Sequence, residues 1–283
     1  MKNNTLKSSV FVHMLKHDTI GKIGLIIIIA IMLLGIFAPF IVPYDPFTAY
    51  PSQARLKPSA DHLFGTDESG MDIFSRCIYA IRIDVLIGVS GTLISLLLGI
   101  PLGLIAGYFE KYTGQIILRS ADLLQAFPVF IFAMALVAIL GNKVENIIFA
   151  IAFLNIPIYM RFVRAEVIAL KGRPFIEAAQ CAGKSNFQIM FKDLLPNSVR
   201  SALVQASINI GGAILITAGL SFIGAGVRVP TPEWGSMISI GAPLIISGQW
   251  WAAFFPGVSI AVTVLGFAFF ADFIGKYLDP ERR

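Results

Sequence analysis

Long, nearly uncharged stretches alternate with short polar ones along this chain, and six of them are long enough to cross a membrane as helices. A helix of roughly 20 apolar residues spans the hydrocarbon core of a bilayer. The stretches lack the alternation of apolar and polar residues that is typical of membrane-spanning β-strands. The pattern predicts spans at Lys22–Val42, Val85–Tyr108, Leu123–Gly141, Ile147–Val163, Ala202–Val227 and Trp251–Ala271.

The composition agrees with this pattern. Of the 283 residues, 56% are hydrophobic and 14% are charged, and the mean hydropathy is +0.78. A soluble domain has about 25% charged residues. A backbone inside lipid must satisfy its own hydrogen bonds, which leaves helices once barrels are set aside. We therefore expect an all-α integral membrane protein with about six transmembrane helices.

Two apolar stretches have alternative interpretations. The first could be a signal peptide, but it is longer than the usual core of about 7–15 residues and has no small-x-small cleavage site before Pro39. The charge-free stretch Gly235–Gln249 is rich in Gly, Ser and Pro. We interpret it as a surface loop or a partly re-entrant segment rather than a seventh span.

The distribution of Lys and Arg predicts the orientation in the membrane. With six spans, sixteen of the 22 Lys and Arg residues fall on the side of the two termini and six on the other side. Because cytoplasmic loops are enriched in these residues, both termini are expected in the cytoplasm. Trp234, Trp250 and Trp251 are then expected at the outer interface.

This topology divides the chain into a cytoplasmic N-terminal segment, residues 1–21, and a transmembrane domain, residues 22–283. Within the domain we expect an outer loop, 43–82, and a large cytoplasmic loop, 164–200. The outer stretch Pro43–Arg76 contains four prolines and is expected to be extended and partly ordered. It could contact other proteins or simply cap the outer mouth.

No catalytic or metal site is indicated by the pattern of reactive residues. Cys77 and Cys181 fall on opposite sides and cannot pair. The acidic cluster Asp67, Glu68 and Asp72 lacks calcium-loop spacing, so we interpret it as a solvated turn. The histidines are likewise split between the two sides without a third ligand, which predicts no metal site: His13, His17 and His62.

Gly183-Lys184-Ser185 resembles the end of a phosphate-binding loop, G-x-x-x-x-G-K-[ST]. The first glycine of that pattern is replaced by Ala178, and the preceding residues are typical of a helix rather than a strand. We therefore expect that the chain itself binds no ATP and no other cofactor.

The same region predicts two short helices within the large cytoplasmic loop. Pro174 suits a first helical position, and Gly183 can adopt the left-handed conformation that ends a helix. Ser185 to Gln188 form a capping-box pattern that opens the second helix, which Pro196 and Asn197 would end. Small residues are expected on the surface of the first helix, where another protein could dock closely: Ala178, Ala179 and Ala182.

At this point the residues resemble a known family. The stretch EAAQCAGKSNFQIMFKDLLPN is similar to the loop of binding-protein-dependent ABC import permeases that enters a cleft on a cytoplasmic ATPase. Asp193 stands where relatives often have His or an aliphatic residue. The resemblance assigns an ATPase-coupling role to the residues that carry the match: Glu177, Ala178, Ala179, Gly183, Leu195, Pro196 and Asn197.

Two further blocks, LFGTDESGMDIFSR from Leu63 and LSFIGAGVRVPTPEWGSMI from Leu220, resemble the C-type permease subunit of dipeptide, oligopeptide and nickel importers. Met71 replaces a usual Arg, and Thr217 stands where an acidic residue is common. The resemblance covers about residues 20–280. It implies a type I ABC importer permease fold in a bacterial inner membrane.

The resemblance also implies partners: a homologous second permease, two cytoplasmic ATPases that use ATP and Mg²⁺, and an extracytoplasmic substrate-binding protein. Nucleic acid is not expected as a partner. ATP hydrolysis would take place in the ATPases, so the chain itself is not expected to be an enzyme.

A stripe of small residues recurs every four positions along the second span. Such a stripe lets membrane helices approach closely. It could serve packing within this chain or packing against the second permease. Its members are Gly91, Ser95, Gly99, Gly103 and Gly107.

The substrate-binding residues stay unknown at this level, because no cluster of acids or aromatic residues marks a path. Peptides are the preferred cargo, with nickel or a chelated metal as the alternative. A channel or secondary transporter is disfavoured, because Asp84, Asp122 and Asp272 lie near span ends rather than at mid-membrane. A membrane scaffold would give no reason for the docking loop.

Overall fold

A computed structural model of the chain describes residues 18–278. The described part contains helices and no β-strand, which confirms the all-α prediction. Its helices are α1 (Thr19–Ile41), α2 (Ile73–Tyr108), α3 (Tyr112–Gln125), α4 (Val129–Leu140), α5 (Val144–Lys171), α6 (Pro174–Cys181), α7 (Asn186–Gln188), α8 (Leu195–Ser198), α9 (Arg200–Phe222), α10 (Trp234–Gly241) and α11 (Trp251–Leu278). A π-helical turn, Ile189–Leu194, joins α7 to α8, and short 3-10 turns occur at Pro51–Gln53 and Ala242–Ile245.

The first and last spans bring their ends together. Asp18, which caps α1, accepts hydrogen bonds at 3.3 Å from Nζ of Lys276, near the end of α11. These ends therefore share one face of the bundle, which we call the terminal face. Gly35, near the end of α1, packs on Ile81, near the start of α2. The opposite face, which carries these two helix ends, we call the distal face.

The third span is broken, so the prediction of one continuous helix over Leu123–Gly141 was wrong. Helices α3 and α4 meet at an angle of 88°. Pro128 stands at the break, where it lacks an N–H group and disfavours helical geometry at the residue before it. The pair still crosses the bundle: it starts after Tyr108 on the terminal face and ends beside Asn142. Because Asn142 donates to the carbonyl of Gly226 beyond α9, its end lies on the distal face.

Several spans extend beyond their predicted limits. Helix α2 begins at Ile73 instead of Val85 and has 36 residues, with Asp72 as its N-cap. Helix α5 continues past Val163 to Lys171, and Arg161, within the predicted span, pairs with Asp122 of α3 at 2.8 Å. The apolar runs mark the hydrocarbon-crossing parts of these helices, and hydrogen-bonded polar turns lengthen them.

The stretch Gly235–Gln249 is not a seventh span. Helix α10 and the 3-10 turn after it together cover only Trp234–Ile245, and a helix of that length is about 18 Å long. It packs closely on the long helices, because a side chain at Gly235 would meet Ala218 and one at Gly241 would meet Ala252. A short helix is thus embedded at the distal face.

Two of the three tryptophans are buried, against the expectation that all would face the interface. Trp234 is 1% exposed and Trp251 is 4% exposed, while Trp250 is 49% exposed. The indole N–H of Trp234 donates to the carbonyl of Cys77, and that of Trp251 donates to the carbonyl of Thr66. These bonds attach α10 and α11 to the start of α2 and the segment before it.

The distal segment before α2 is ordered, and the interpretation of its acidic cluster as a solvated turn was wrong. Asp67 accepts hydrogen bonds from backbone N–H groups, including that of Met71. Asp72 caps α2 and contacts Nδ1 of the buried His62 at 2.9 Å. Only Glu68 of the cluster is exposed. The carboxylates of Asp67 and Asp72 therefore stabilise this segment through hydrogen bonds.

Candidate functional site

The loop between α5 and α9 forms a compact helical unit on the terminal face. Pro174 occupies the start of α6, and Gly183 has φ +74° after its end, as predicted. Ser185 and Gln188 make both hydrogen bonds of the capping box. The side chain of Lys184 pairs with Asp193 at 2.8 Å across the unit. Local sequence signals therefore set the shape of this loop.

The second helical stretch of this unit ends at Ser198, one residue beyond the predicted end at Pro196 and Asn197. Pro196 lies in the first turn of α8, where its missing N–H is not needed. The π-helical turn Ile189–Leu194 precedes α8, and its wider hydrogen-bond spacing connects α7 to α8. The chain thus continues through α8 towards α9 with a break at Val199.

The matched residues of the loop divide between its surface and its core. Ala179 is buried, so it does not belong to a docking surface as expected, and Leu195 is half-buried. The remaining matched residues are exposed: Glu177, Ala178, Gly183, Pro196 and Asn197. Two exposed aromatic residues, Phe175 at 43% and Phe187 at 68%, accompany them and were missed from the sequence. We define the α6–α7 surface as Phe175, Glu177, Ala178, Ala182, Gly183 and Phe187.

The other side of this unit is packed into the bundle. Ile176 and Ala179 of α6 belong to a buried cluster that also contains Leu104 and Val163 of the long helices. Beside this cluster, a polar contact joins the ends of α5 and α2, because Nζ of Lys171 donates to the carbonyl of Tyr108 at 2.9 Å. The loop unit is therefore packed together with α2 and α5.

The small-residue stripe of α2 lies against α5 of the same chain. A Cβ atom at Gly103 would lie 2.5 Å from the carbonyl oxygen of Met160, and one at Gly107 would lie 2.7 Å from Cβ of Val167. The hydroxyl of Ser95 donates to the carbonyl of Ala152 at 2.9 Å. The remaining members, Gly91 and Gly99, also face residues of α5. The two helices thus approach almost backbone to backbone.

A buried acidic pair, Asp84 and Glu233, was not anticipated from the sequence. Asp84 lies within α2, next to the predicted limit of the second span at Val85, and both side chains are completely buried. Oδ2 of Asp84 accepts a hydrogen bond from N–H of Trp234, while Glu233 accepts from Gly235 and Ser236 at the start of α10. Burial raises the pKa of Glu233, against these N–H groups, which lower it. The sequence shows that Glu233 could cap a helix that begins at Trp234. It does not show that Asp84 of α2 lies beside this cap.

A polar cavity of about 490 Å³ is the second feature that the sequence did not reveal. It opens on the terminal face between α5, α9 and α11. Its polar lining consists of Glu166, Asn197, Arg200, Ser201 and Gln205. These residues come from three separate segments, so no local motif marks them.

Within residues 18–278, no group of three or more His, Cys, Asp or Glu side chains is placed to hold a metal ion. Of the histidines considered above, His62 is engaged with Asp72, and His13 and His17 lie outside the described residues. Cys77 is buried and Cys181 is exposed, and neither forms a disulfide.

Two family models match the chain. Residues 99–283 match the binding-protein-dependent transport system inner membrane component, and residues 9–58 match the N-terminal TM domain of oligopeptide transport permease C. Both matches agree with the resemblance carried by the loop and by the two outer blocks.

Individual relatives cover nearly the whole chain. The dipeptide transport system permease protein DppC of Alkalihalophilus pseudofirmus is 42% identical over 95% of this chain and 88% of its own length. The di/tripeptide transport system permease protein DppC of Pseudomonas aeruginosa is 39% identical over 91% and 87%. The glutathione transport system permease protein GsiD of Pectobacterium atrosepticum is 38% identical over 91% and 85%.

These matches and the five candidate membrane spans, or six with the bent pair α3–α4, give one result. The chain is a multi-pass bacterial inner membrane protein, and it belongs to the family of binding-protein-dependent transport system inner membrane components, the permease subunits of ABC transporters.

Proposed function

We propose that this chain forms half of the translocation path of an ATP-driven importer for di- and oligopeptides. The observation that carries this proposal is the α6–α7 surface, which is exposed while the other side of the same loop is packed against two membrane spans. The relatives described above move dipeptides, tripeptides or glutathione, all of which are short peptides.

The proposed orientation puts the terminal face in the cytoplasm. The large loop on that face, 164–200, carries six of the Lys and Arg residues counted above, and positive loops stay on the cytoplasmic side. The α6–α7 surface would then meet the ATPases, and α10 with its capped start would face the substrate-binding protein. A homologous second permease would supply the other half of the path.

The coupling step follows from the packing of the loop. ATP and Mg²⁺ would bind between the two ATPase subunits, and their closure would displace the α6–α7 surface. Because Ile176 is fully buried against the bundle, α6 cannot move without the helices that surround it. Packed helices shift as rigid bodies, so this displacement would change which side of the path is open.

Uptake tests this proposal directly. A strain that lacks this chain is compared with its parent for uptake of a labelled dipeptide and of labelled nickel. We expect selective loss of dipeptide uptake, restored by the wild-type gene but not by the Glu177→Lys variant. Selective loss of nickel uptake would instead assign the chain to metal import, and unchanged uptake of both would overturn the proposal.

A further inference from the structure

The polar cavity on the terminal face has walls from three membrane helices. Phe162 and Glu166 come from α5, Arg200 and Gln205 from α9, and Gly275 from α11. Small-molecule sites in proteins have volumes of roughly 300–1,000 Å³. The cavity, at about 490 Å³, therefore has room for a short peptide.

Opposite charges stand on two different walls of this cavity. Glu166 is half-buried on α5, and Arg200 is exposed at the start of α9. Within the described part of the chain, neither side chain forms an ion pair. An acid and a guanidinium that do not neutralise each other are available to a ligand that carries both charges.

Uncharged polar groups continue from the cavity into the span. Ser201, Gln205 and Asn209 are four residues apart and share one face of α9. Nε2 of Gln205 donates to Oδ1 of Asn209 at 2.8 Å, while the buried Ser201 hydroxyl and Asn209 Nδ2 have no partner in the described protein. One turn further, a Cβ at Gly212 would meet nothing within 4 Å. Unsatisfied polar groups in a membrane helix usually mark a ligand or ion pathway.

We propose that this cavity is a transit site for a peptide with free termini, a proposal that rests on the peptide import proposed above. Glu166 binds the terminal ammonium and Arg200 binds the terminal carboxylate through a forked, charge-assisted contact. Ser201 and Gln205 bond to the peptide group between them. Together these contacts recognise a short zwitterion by its two ends and its backbone.

A zwitterionic lipid headgroup offers the same pair of charges. The polar track from Ser201 to Asn209 favours the peptide, because it runs two turns along α9 away from the cavity mouth. A headgroup that its acyl chains hold at the membrane surface would not contact the polar side chains further along α9. The experiment includes lipid composition to separate the two sources.

The test uses the complete complex of both permeases, the ATPases and the binding protein in vesicles of phosphatidylglycerol, whose headgroup carries no ammonium group. We expect Glu166→Gln and Arg200→Gln each to lower uptake of labelled alanyl-alanine roughly tenfold, the effect of losing one charged hydrogen bond. Binding-protein-stimulated ATP hydrolysis should stay within about twofold. Matched charge removals outside the cavity, Glu145→Gln and Arg119→Gln, should leave uptake unchanged.

A charge exchange separates recognition from folding. Glu166→Arg and Arg200→Glu should each block uptake alone, whereas the double variant restores opposite charges and should recover part of it. A diazirine dipeptide, alanyl-photoleucine, should crosslink to α5 or α9 of the wild-type chain during turnover. Crosslinking should be lost in both single variants.

Each contrary result has a distinct meaning. Normal alanyl-alanine uptake by Glu166→Gln and Arg200→Gln, with crosslinks elsewhere, would overturn the transit site and leave peptide import intact. Absence of peptide uptake by the wild-type complex would overturn both. If the two variants differ from wild type only when phosphatidylethanolamine is present, the site binds a lipid headgroup and the inference is wrong.

Discussion

The hydroxyl of Tyr108 donates a hydrogen bond to Oδ1 of Asn186 at 2.7 Å. Tyr108 is the last residue of α2, and Asn186 opens α7 beside the α6–α7 surface. The bond therefore joins the loop between α5 and α9 to α2, the membrane span that packs most closely on α5. The ring of Tyr108 is buried, and Lys171 lies 5.6 Å from its centre.

This contact predicts that Tyr108→Phe loosens coupling without unfolding the chain. A single hydrogen bond contributes about 1 kcal/mol to stability. The chain should tolerate this loss, because the phenylalanine ring keeps the packing of the tyrosine ring. We expect transport per ATP hydrolysed to fall severalfold in proteoliposomes that contain the whole complex. The exposed Tyr112, whose Phe variant loses the same hydroxyl at a site 87% exposed, is the matched control. An unchanged ratio in Tyr108→Phe would show that the bond plays no part in coupling.

The α6–α7 surface predicts loss of transport on substitution of Glu177 or Gly183. Glu177→Lys reverses an exposed charge, and Gly183→Pro is incompatible with φ +74° because proline is restricted to about −65°. Both should abolish peptide uptake while membrane levels of the chain stay normal. Gly183→Asn, which tolerates the left-handed conformation, should retain most of the activity. Wild-type uptake by Glu177→Lys at a normal protein level would contradict the assignment.

The close approach of α2 and α5 predicts a steric effect at Gly103. An added methyl group there would lie 2.5 Å from a backbone oxygen, which cannot move aside as a side chain can. Overpacking of this kind costs about 1–3 kcal/mol. Gly103→Ala should lower the thermal transition of the detergent-purified chain, measured by loss of the monodisperse fraction.

Gly257→Ala is the control for this effect, because nothing lies within 4 Å of a Cβ at that helical position. It should leave the transition unchanged or raise it slightly, since alanine favours helix over glycine. Equal destabilisation by both variants would mean that close packing at Gly103 is not responsible.

The buried acidic pair predicts a dependence of stability on pH. The pKa of Glu233 is raised above its usual 4.5 in the folded chain. At a pH between these two values, the folded state keeps the proton that the unfolded state has released. Stability is then fully present below pH 4.5 and falls as the pH rises through the raised pKa. The neighbouring Asp84 side chain lowers this pKa by hydrogen bonding to Glu233, so Asp84→Ala should raise the pKa further and enlarge the fall. Thermal unfolding between about pH 4 and 9 measures both effects. Identical slopes for wild type and Asp84→Ala would contradict the coupling.

Local signals predicted the shape of the loop between α5 and α9 but not which of its side chains face the bundle. Pro174, Gly183 and the Ser185–Gln188 capping box act on neighbouring backbone groups, so they are legible in one sequence. Whether Ala178 or Ala179 faces the bundle depends on where α2 and α5 stand. That placement is a tertiary property, and it reversed the expectation for Ala179.

The membrane spans were predicted from the lengths of the apolar stretches, which explains why some predicted helix limits were wrong. Hydropathy locates the part of a helix in lipid, and it therefore missed the polar first turns of α2 and the sharp bend at Pro128. Contacts between residues far apart in the sequence could not be predicted. Asp84 meets the start of α10 although the residues are about 150 positions apart, and the cavity walls combine three distant segments.

The burial of Ile176 and Ala179 has a consequence for assembly. Because the loop is already folded by its own caps and by contact with the bundle, a protein that docks on it does not have to freeze a disordered segment. Ordering a flexible segment on binding costs several kcal/mol of conformational entropy. The preformed loop avoids that loss, so the affinity of docking is left to the exposed side chains, Phe175 and Phe187 foremost among them.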